Sequence, residues 1–194
     1  RCLRGTGWLN FRMRAMCASV LCDLLQQPWK IGANFFYYHL LDADPAINYT
    51  QFQLQAGVDG TNMLRIYNPR KQVRDNDPDG EFITTWVPEL DALPVAYLDQ
   101  PEKTPLHIQE NVGVQIGETY PYPIVEYEAA REAIIEKIEA VREPAKNALQ
   151  HPEVHRRASL SRRGGTTQPT EAVAIENITD VDGDGGQSSL SDFT

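Results

Sequence analysis

Prolines divide residues 1–144 into short lengths, and none of those lengths alternates polar and apolar residues as a half-buried strand does. Pro28, Pro45, Pro88, Pro94, Pro123 and Pro144 each remove a backbone N–H and fix φ near −65°, so each favours a helix start or stop. The chain is therefore expected to be all-α, with long ordered loops between helices. Leu9, Met13, Met16, Val20, Leu21 and Leu24 recur at helical spacing, which predicts a helix over 9–27 with Thr6 and Gly7 as cap candidates and Pro28 as its stop. A second helix, aromatic on one side, is expected over 29–41. A third is expected over 45–55, with Pro45 in its first turn and Gly57 and Gly60 beyond its end.

Residues 58–78 read as irregular because "RDNDPDG" is turn chemistry. A short helix over 79–87 is expected to be capped by Asp79, and "VPELDALP" reads as a helical turn. Residues 95–121 read as loop with apolar anchors. The clearest helix spans 123–143, opened by Pro123 and closed by Pro144, with Glu128 and Glu132 facing Arg131 and Lys137 toward solvent. Residues 1–144 thus form the ordered domain. Residues 145–194, rich in Ser, Thr, Gly and Asp, are expected to be a disordered acidic tail.

Composition narrows the function. The 194 residues carry 27 acidic and 18 basic side chains, a net charge of −9, which argues against a general nucleic-acid binder. Three cysteines lie far from any histidine, so Cys2, Cys17 and Cys22 read as small apolar residues in a reducing compartment and no metal site is expected. The apolar runs are shorter than the ~20 residues a membrane span needs. A soluble, cytoplasmic monomer is the expectation. The chain opens on Arg1, immediately before a helical pattern, and is expected to be an N-terminally truncated fragment. "DVDGDGG" imitates a calcium loop but lacks the twelfth-position Glu; "RRASLSRR" reads as a basic stretch of the tail, and His39 as a core or pocket-edge residue.

The candidate site is "LLDADPAINYTQFQLQAG". Asp42 and Asp44 follow an apolar helical run, and buried carboxylates there need partners. Arg12 and Arg14 on the preceding helix are the available cations. Two readings follow: a structural ion pair between helices, or a polar clamp of acid, amide and guanidinium on a flat heteroaromatic ligand in an apolar pocket.

Four blocks of the chain, "TGWLNFRMRAMCASVLCDLLQQPW", "LLDADPAINYTQFQLQAG", "RIYNPRKQVRDNDPDGEFITTWVPEL" and "YPYPIVEYEAAREAII", resemble in order and spacing the C-terminal helical FAD-binding domain of the cryptochrome/DNA photolyase family. The resemblance covers residues 6 to about 142 and implies FAD held inside a helical bundle. It implies that Arg14 pairs with Asp42 against the flavin ring, that Asp42 and Asp44 flank the ring's pyrimidine edge, and that Asn48 faces flavin N5. It also implies light-driven repair of pyrimidine dimers by electron transfer from reduced FAD, with damaged DNA as the partner.

Three positions depart from the family. Phe52 stands where the family usually places the Trp that first gives up an electron to the flavin, and Trp29 matches the middle Trp of that chain. Tyr49 is the substitute donor by hypothesis. Phe11 and Leu54 stand where dimer-repairing members carry an Asn and a Trp in the DNA-lesion pocket. The expected function is a deoxyribodipyrimidine photo-lyase, with Asn48 and Trp29 serving its chemistry. The alternative is a non-repairing cryptochrome-like photoreceptor or an inactive remnant of the FAD domain.

Overall fold

The computed structural model describes residues 1–58 and 65–153. Among these residues there are eight α-helices, a π-helical turn, three 3-10 turns and no strand. Three apolar clusters hold them, and the first carries the candidate site. There Leu3, Leu9, Ala18, Ala33, Phe36, Leu40 and Phe52 are buried together, with Trp29 and Tyr49 packed against them.

The N-terminal region is broken more finely than periodicity predicts. α1 (Cys2–Thr6) is closed by Gly7, whose left-handed φ of 71° lets its N–H reach Leu3 O at 2.8 Å. Thr6 and Gly7 therefore end one helix instead of capping the next. The cap of α2 (Phe11–Ser19) is Asn10, whose side chain accepts from Met13 N. The expected single helix over 9–27 then changes winding, because Val20–Leu24 forms a π-helical turn. α3 (Trp29–His39) stops two residues before the expected end, where Leu40 turns extended.

α4 (Pro45–Gln55) has the expected bounds. Asp44 caps it by accepting from Ile47 N at 2.9 Å, and Pro45 occupies the first turn, where its missing N–H costs nothing. The same chemistry recurs at Asn68–Pro69 and starts α5 (Pro69–Asn76) inside the segment expected to be irregular. α6 (Glu81–Trp86) is preceded by Gly80 at φ 73°, and the carboxylate that accepts from its first N–H groups is that of Asp77 (3.0 Å to Phe82 N, 2.9 Å to Ile83 N), not Asp79. Pro88–Leu90 makes the expected turn in 3-10 form. The presumed loop over 95–121 contains α7 (Leu106–Val112), closed by Gly113. It packs Leu98, Val114 and Ile116 with Leu90 and Leu93 into a second core.

α8 (Tyr127–Leu149) begins at the Glu126 cap, four residues after the expected start, and carries Pro144 inside it. Proline has a helical φ but forfeits its own N–H and crowds the carbonyl four residues back; residues 139–141 are exposed, so that carbonyl can tilt outward to water. Glu128 pairs with a cation outside its own helix: Arg70 Nη1 donates to both of its oxygens at 3.0 and 3.1 Å. The tail motifs "DVDGDGG" and "RRASLSRR", and Gly60, lie outside the described residues.

α8 is docked on the π-helical turn through Leu24, Ile66 and Tyr127, and Lys137 donates to Gln26. Beneath that contact Ser19 and Asp23 are buried. Ser19 Oγ donates to Asp23 Oδ2 at 2.6 Å and accepts from Tyr67 N at 3.0 Å, which ties the turn to the segment leading into α5. Burial pushes the Asp23 carboxyl up from 3.8 to about 6, against the opposing hydrogen bond from Ser19. A raised folded-state pKa means that the fold disfavours the carboxylate. The penalty is absent below about pH 4, grows as the pH rises to about 6, and is full above it. Asp23→Asn is therefore expected to raise the thermal midpoint at pH 8, where the penalty is about 2–3 kcal/mol, and to change it little at pH 4; scanning calorimetry at the two pH values checks this.

Candidate functional site

Gly32 sets how closely α3 and α4 approach. A Cβ on Gly32 would lie 2.5 Å from Phe52 Cε1 and 2.5 Å from Leu21 Cδ2, so only the bare backbone admits the Phe52 ring. Phe52 is 3% exposed and meets Phe36 edge-on at 5.2 Å between ring centroids. One turn before Phe52, Asn48 is 8% exposed, and its Nδ2 donates to Ala33 O at 2.8 Å. That bond fixes the amide's orientation.

Facing this pair of helices is α2. Arg14 Nε donates to Leu9 O at 2.7 Å, and its Nη2 donates to both Asp42 oxygens at 3.0 and 2.9 Å. The guanidinium is thereby held on two sides, spanning from its own helix start to the turn between α3 and α4. The pair is not dry: the Arg14 side chain is 25% exposed and that of Asp42 52%. Asp44 is exposed as well and serves as the α4 cap. The desolvation anticipated from the apolar run is thus not imposed on these carboxylates by the described residues.

Between α2 and α4 lies a cleft of about 120 Å³, lined mainly by apolar atoms. Arg14, Asp42, Asp44 and Asn48 all border it, whereas Arg12 does not. Phe11 borders it too, half exposed, whereas Leu54 and Trp29 do not. Trp29 packs against the first core, its ring 6.3 Å from that of Tyr49 in an edge-to-face pair. The Tyr49 hydroxyl donates to Asn34 Oδ1 at 2.6 Å. Gln51 and Gln55 also line the cleft. Their spacing from Asn48, one and two turns along α4, carried the signal that sequence reasoning left unused.

The described lining is smaller than the ~300–1,000 Å³ of a complete small-molecule pocket, so it makes one wall of a site. Comparison with known proteins says which. Residues 1–140 match the family of the FAD binding domain of DNA photolyase. The chain belongs to the cryptochrome/DNA photolyase family. It is 37% identical over 143 residues to cryptochrome-2 of Arabidopsis thaliana, covering 73% of this chain and 23% of that protein. To the deoxyribodipyrimidine photo-lyase of Agrobacterium fabrum it is 37% identical over 138 residues, 70% of this chain and 29% of the relative. The crystal structure of a class III photolyase from Agrobacterium tumefaciens superposes with a TM-score of 0.68 at 36% identity, over 74% of this chain and 30% of that one. The chain thus spans less than a third of the length of these relatives.

FAD is the cofactor of this family's domain, and the lining fits a flavin ring. Ala15 and Ala18 present only methyl groups to the cleft, which leaves depth for a flat ring over α2. The guanidinium, carboxylates and amide supply the polar groups of an otherwise apolar lining, as a flat ring with a polar edge requires. Among the described residues no helix is long and apolar enough to cross a membrane, and no group of three or more His, Cys, Asp or Glu stands ready for a metal ion.

The Gly32–Phe52 contact makes a direct prediction. Gly32→Ala is expected to cost about 1–3 kcal/mol of stability by wedging α4 off α3. The double variant Gly32→Ala/Phe52→Leu should recover part of that loss, and a double-mutant cycle from denaturant melts measures the coupling.

Proposed function

We propose that this chain forms the ring-binding wall of the FAD site of a deoxyribodipyrimidine photo-lyase, an enzyme that splits pyrimidine dimers in DNA by light-driven electron transfer. The carrying observation is Arg14, clamped to Asp42, lining the same apolar cleft as buried Asn48. In this reading Arg14, Asp42 and Asp44 hold the polar edge of the flavin, and Asn48, its amide oriented by Ala33, hydrogen-bonds ring N5. When bound, FAD supplies the light-absorbing electron donor. Phe11 and Leu54 belong to the DNA-facing side, and the protein works as a monomer on damaged DNA.

Trp29 and Tyr49 are oxidisable rings packed against the core that backs this wall, and neither borders the cleft itself. Phe52 gives up an electron far less readily than Trp or Tyr, so Tyr49, hydrogen-bonded to Asn34 and edge-on to Trp29, takes the role of inner donor with Trp29 behind it. The same Phe52, with Phe11 and Leu54 in place of an Asn and a Trp, favours a second reading: a non-repairing blue-light photoreceptor. Kinship to both photolyases and cryptochromes is compatible with either.

Repair separates the two. Flavin-loaded protein, chemically reduced beforehand, is expected to convert a dimer-containing oligonucleotide under blue light and not in the dark, read by recovery of the thymine absorbance. Reduction in advance removes the Phe52 deficit from the outcome, so intact dimer after illumination means the photoreceptor reading. Asn48→Ala is expected to weaken FAD binding about tenfold, the worth of one directed hydrogen bond, as measured by flavin retention on dialysis. Tyr49→Phe is expected to slow blue-light bleaching of the oxidised flavin band; bleaching at the unmutated rate removes Tyr49 from the donor role.

A further inference from the structure

Two uncommon backbone features lie side by side just before Trp29. Val20–Leu24 is wound as a π-helical turn, closed by Leu25 N–H on Val20 O at 2.9 Å. Gln26 then takes a left-handed φ of 51°, the one non-glycine residue to do so among the described residues. Helices commonly end on a left-handed residue, but that residue is usually glycine, because a Cβ there crowds the following carbonyl oxygen. With Gln26 so turned, Gln27 N–H reaches Leu21 O at 3.0 Å. A π-helical turn is rare for the same kind of reason: α winding replaces it unless contacts from outside hold it open.

α8 supplies those contacts. Leu24 is buried with Ile66 and Tyr127, Val20, Ile134 and Ile135 pack against the same cluster, and Lys137 Nζ donates to Gln26 Oε1. On its other side the segment runs into α3 with little slack. Pro28 lies between Gln26 and α3 with its φ fixed at −57°, and Ile31 N donates to Pro28 O at 3.0 Å. Trp29 is the first residue of α3 and meets the Tyr49 ring edge-on. Rewinding the π-helical turn as α-helix rotates the residue that follows it by roughly 100°, the angle of one helical residue. The short link passes that displacement on to Trp29.

We propose that α8 is a clamp: through Ile134, Ile135 and Lys137 it holds residues 20–26 in their strained form, and so positions Trp29 against Tyr49. The π-helical turn is the two-state element, wide while α8 is docked and α-wound when it is not. Gln26 and Lys137 are positioning residues, since neither lines the cleft. The functional consequence rests on the reading of Trp29 and Tyr49 as electron donors; the mechanical coupling of α8 to Trp29 does not.

The test begins with Ile135→Ala/Lys137→Met, which thins the docking contact and removes the donor without altering residues 20–29. Hydrogen exchange followed by mass spectrometry on the full chain is expected to show the amides of residues 20–31 exchanging at least tenfold faster, with those of α4 unchanged. Adding Gln26→Gly is expected to restore most of that protection, because glycine holds a φ of 51° without steric cost and needs no clamp. In flavin-loaded protein the double variant is expected to slow blue-light bleaching of the oxidised flavin band at least threefold, and Gln26→Gly to recover the rate. Unchanged exchange over residues 20–31 overturns the proposal. So does a uniform rise in every helix, or a triple variant that exchanges as fast as the double. A bleaching rate that the double variant leaves unmoved while Trp29→Phe slows it overturns the positioning role. Failure of the donor reading gives a different result: Trp29→Phe bleaches at the unmutated rate while the exchange coupling between α8 and residues 20–31 persists.

Discussion

The site depends on a missing side chain. Gly32 leaves a space on α3 that the Phe52 ring fills, and any Cβ there would overlap both Phe52 and Leu21. That contact presses α4 onto α3 at backbone distance, and the neighbouring carbonyl of Ala33 then comes within 2.8 Å of Asn48 Nδ2. One packing contact therefore fixes the orientation of a polar group one turn away. The wall of the cleft, from Asn48 out to Gln55, inherits its geometry from the same seam.

A second constraint is electrostatic and looser. Arg14 and Asp42 hold each other across the gap between α2 and the α3–α4 turn, yet half of the Asp42 side chain faces solvent. An ion pair so exposed contributes little to stability, about 0–1 kcal/mol. Its value is positional: the Leu9 carbonyl and the carboxylate together hold the guanidinium in one place. Such a pair is suited to finishing its desolvation against a ligand, and FAD is the ligand that this family binds.

Much of this was legible in the residues. The bounds of α4 followed from Pro45 and Gly57, because a first-turn proline and a terminating glycine are local chemistry that tertiary structure did not overrule; the Asp44 cap was added by the structure. The same cap at Asn68–Pro69 was obscured by the turn-forming residues around it, so α5 went unread. Pro144 misled in the opposite direction, since a proline inside an exposed helical end forfeits one hydrogen bond to a carbonyl that water can satisfy. The π-helical turn at Val20–Leu24 has no sequence signature. It is held by Ser19, Asp23 and Tyr67, residues up to 48 positions apart in the chain.

By itself, the sequence determined the helical class and the bounds of α4, because each depends on residue type and short spacing. Tertiary structure alone decided that the two carboxylates stay partly wet, that Trp29 and Leu54 stand off the cleft while Phe11 borders it, and that Gln51 and Gln55 extend its polar row. Those outcomes depend on how near α2 comes to α4 and on which helix face is turned inward. Both are set by contacts, Gly32 with Phe52 above all, between residues on different helices.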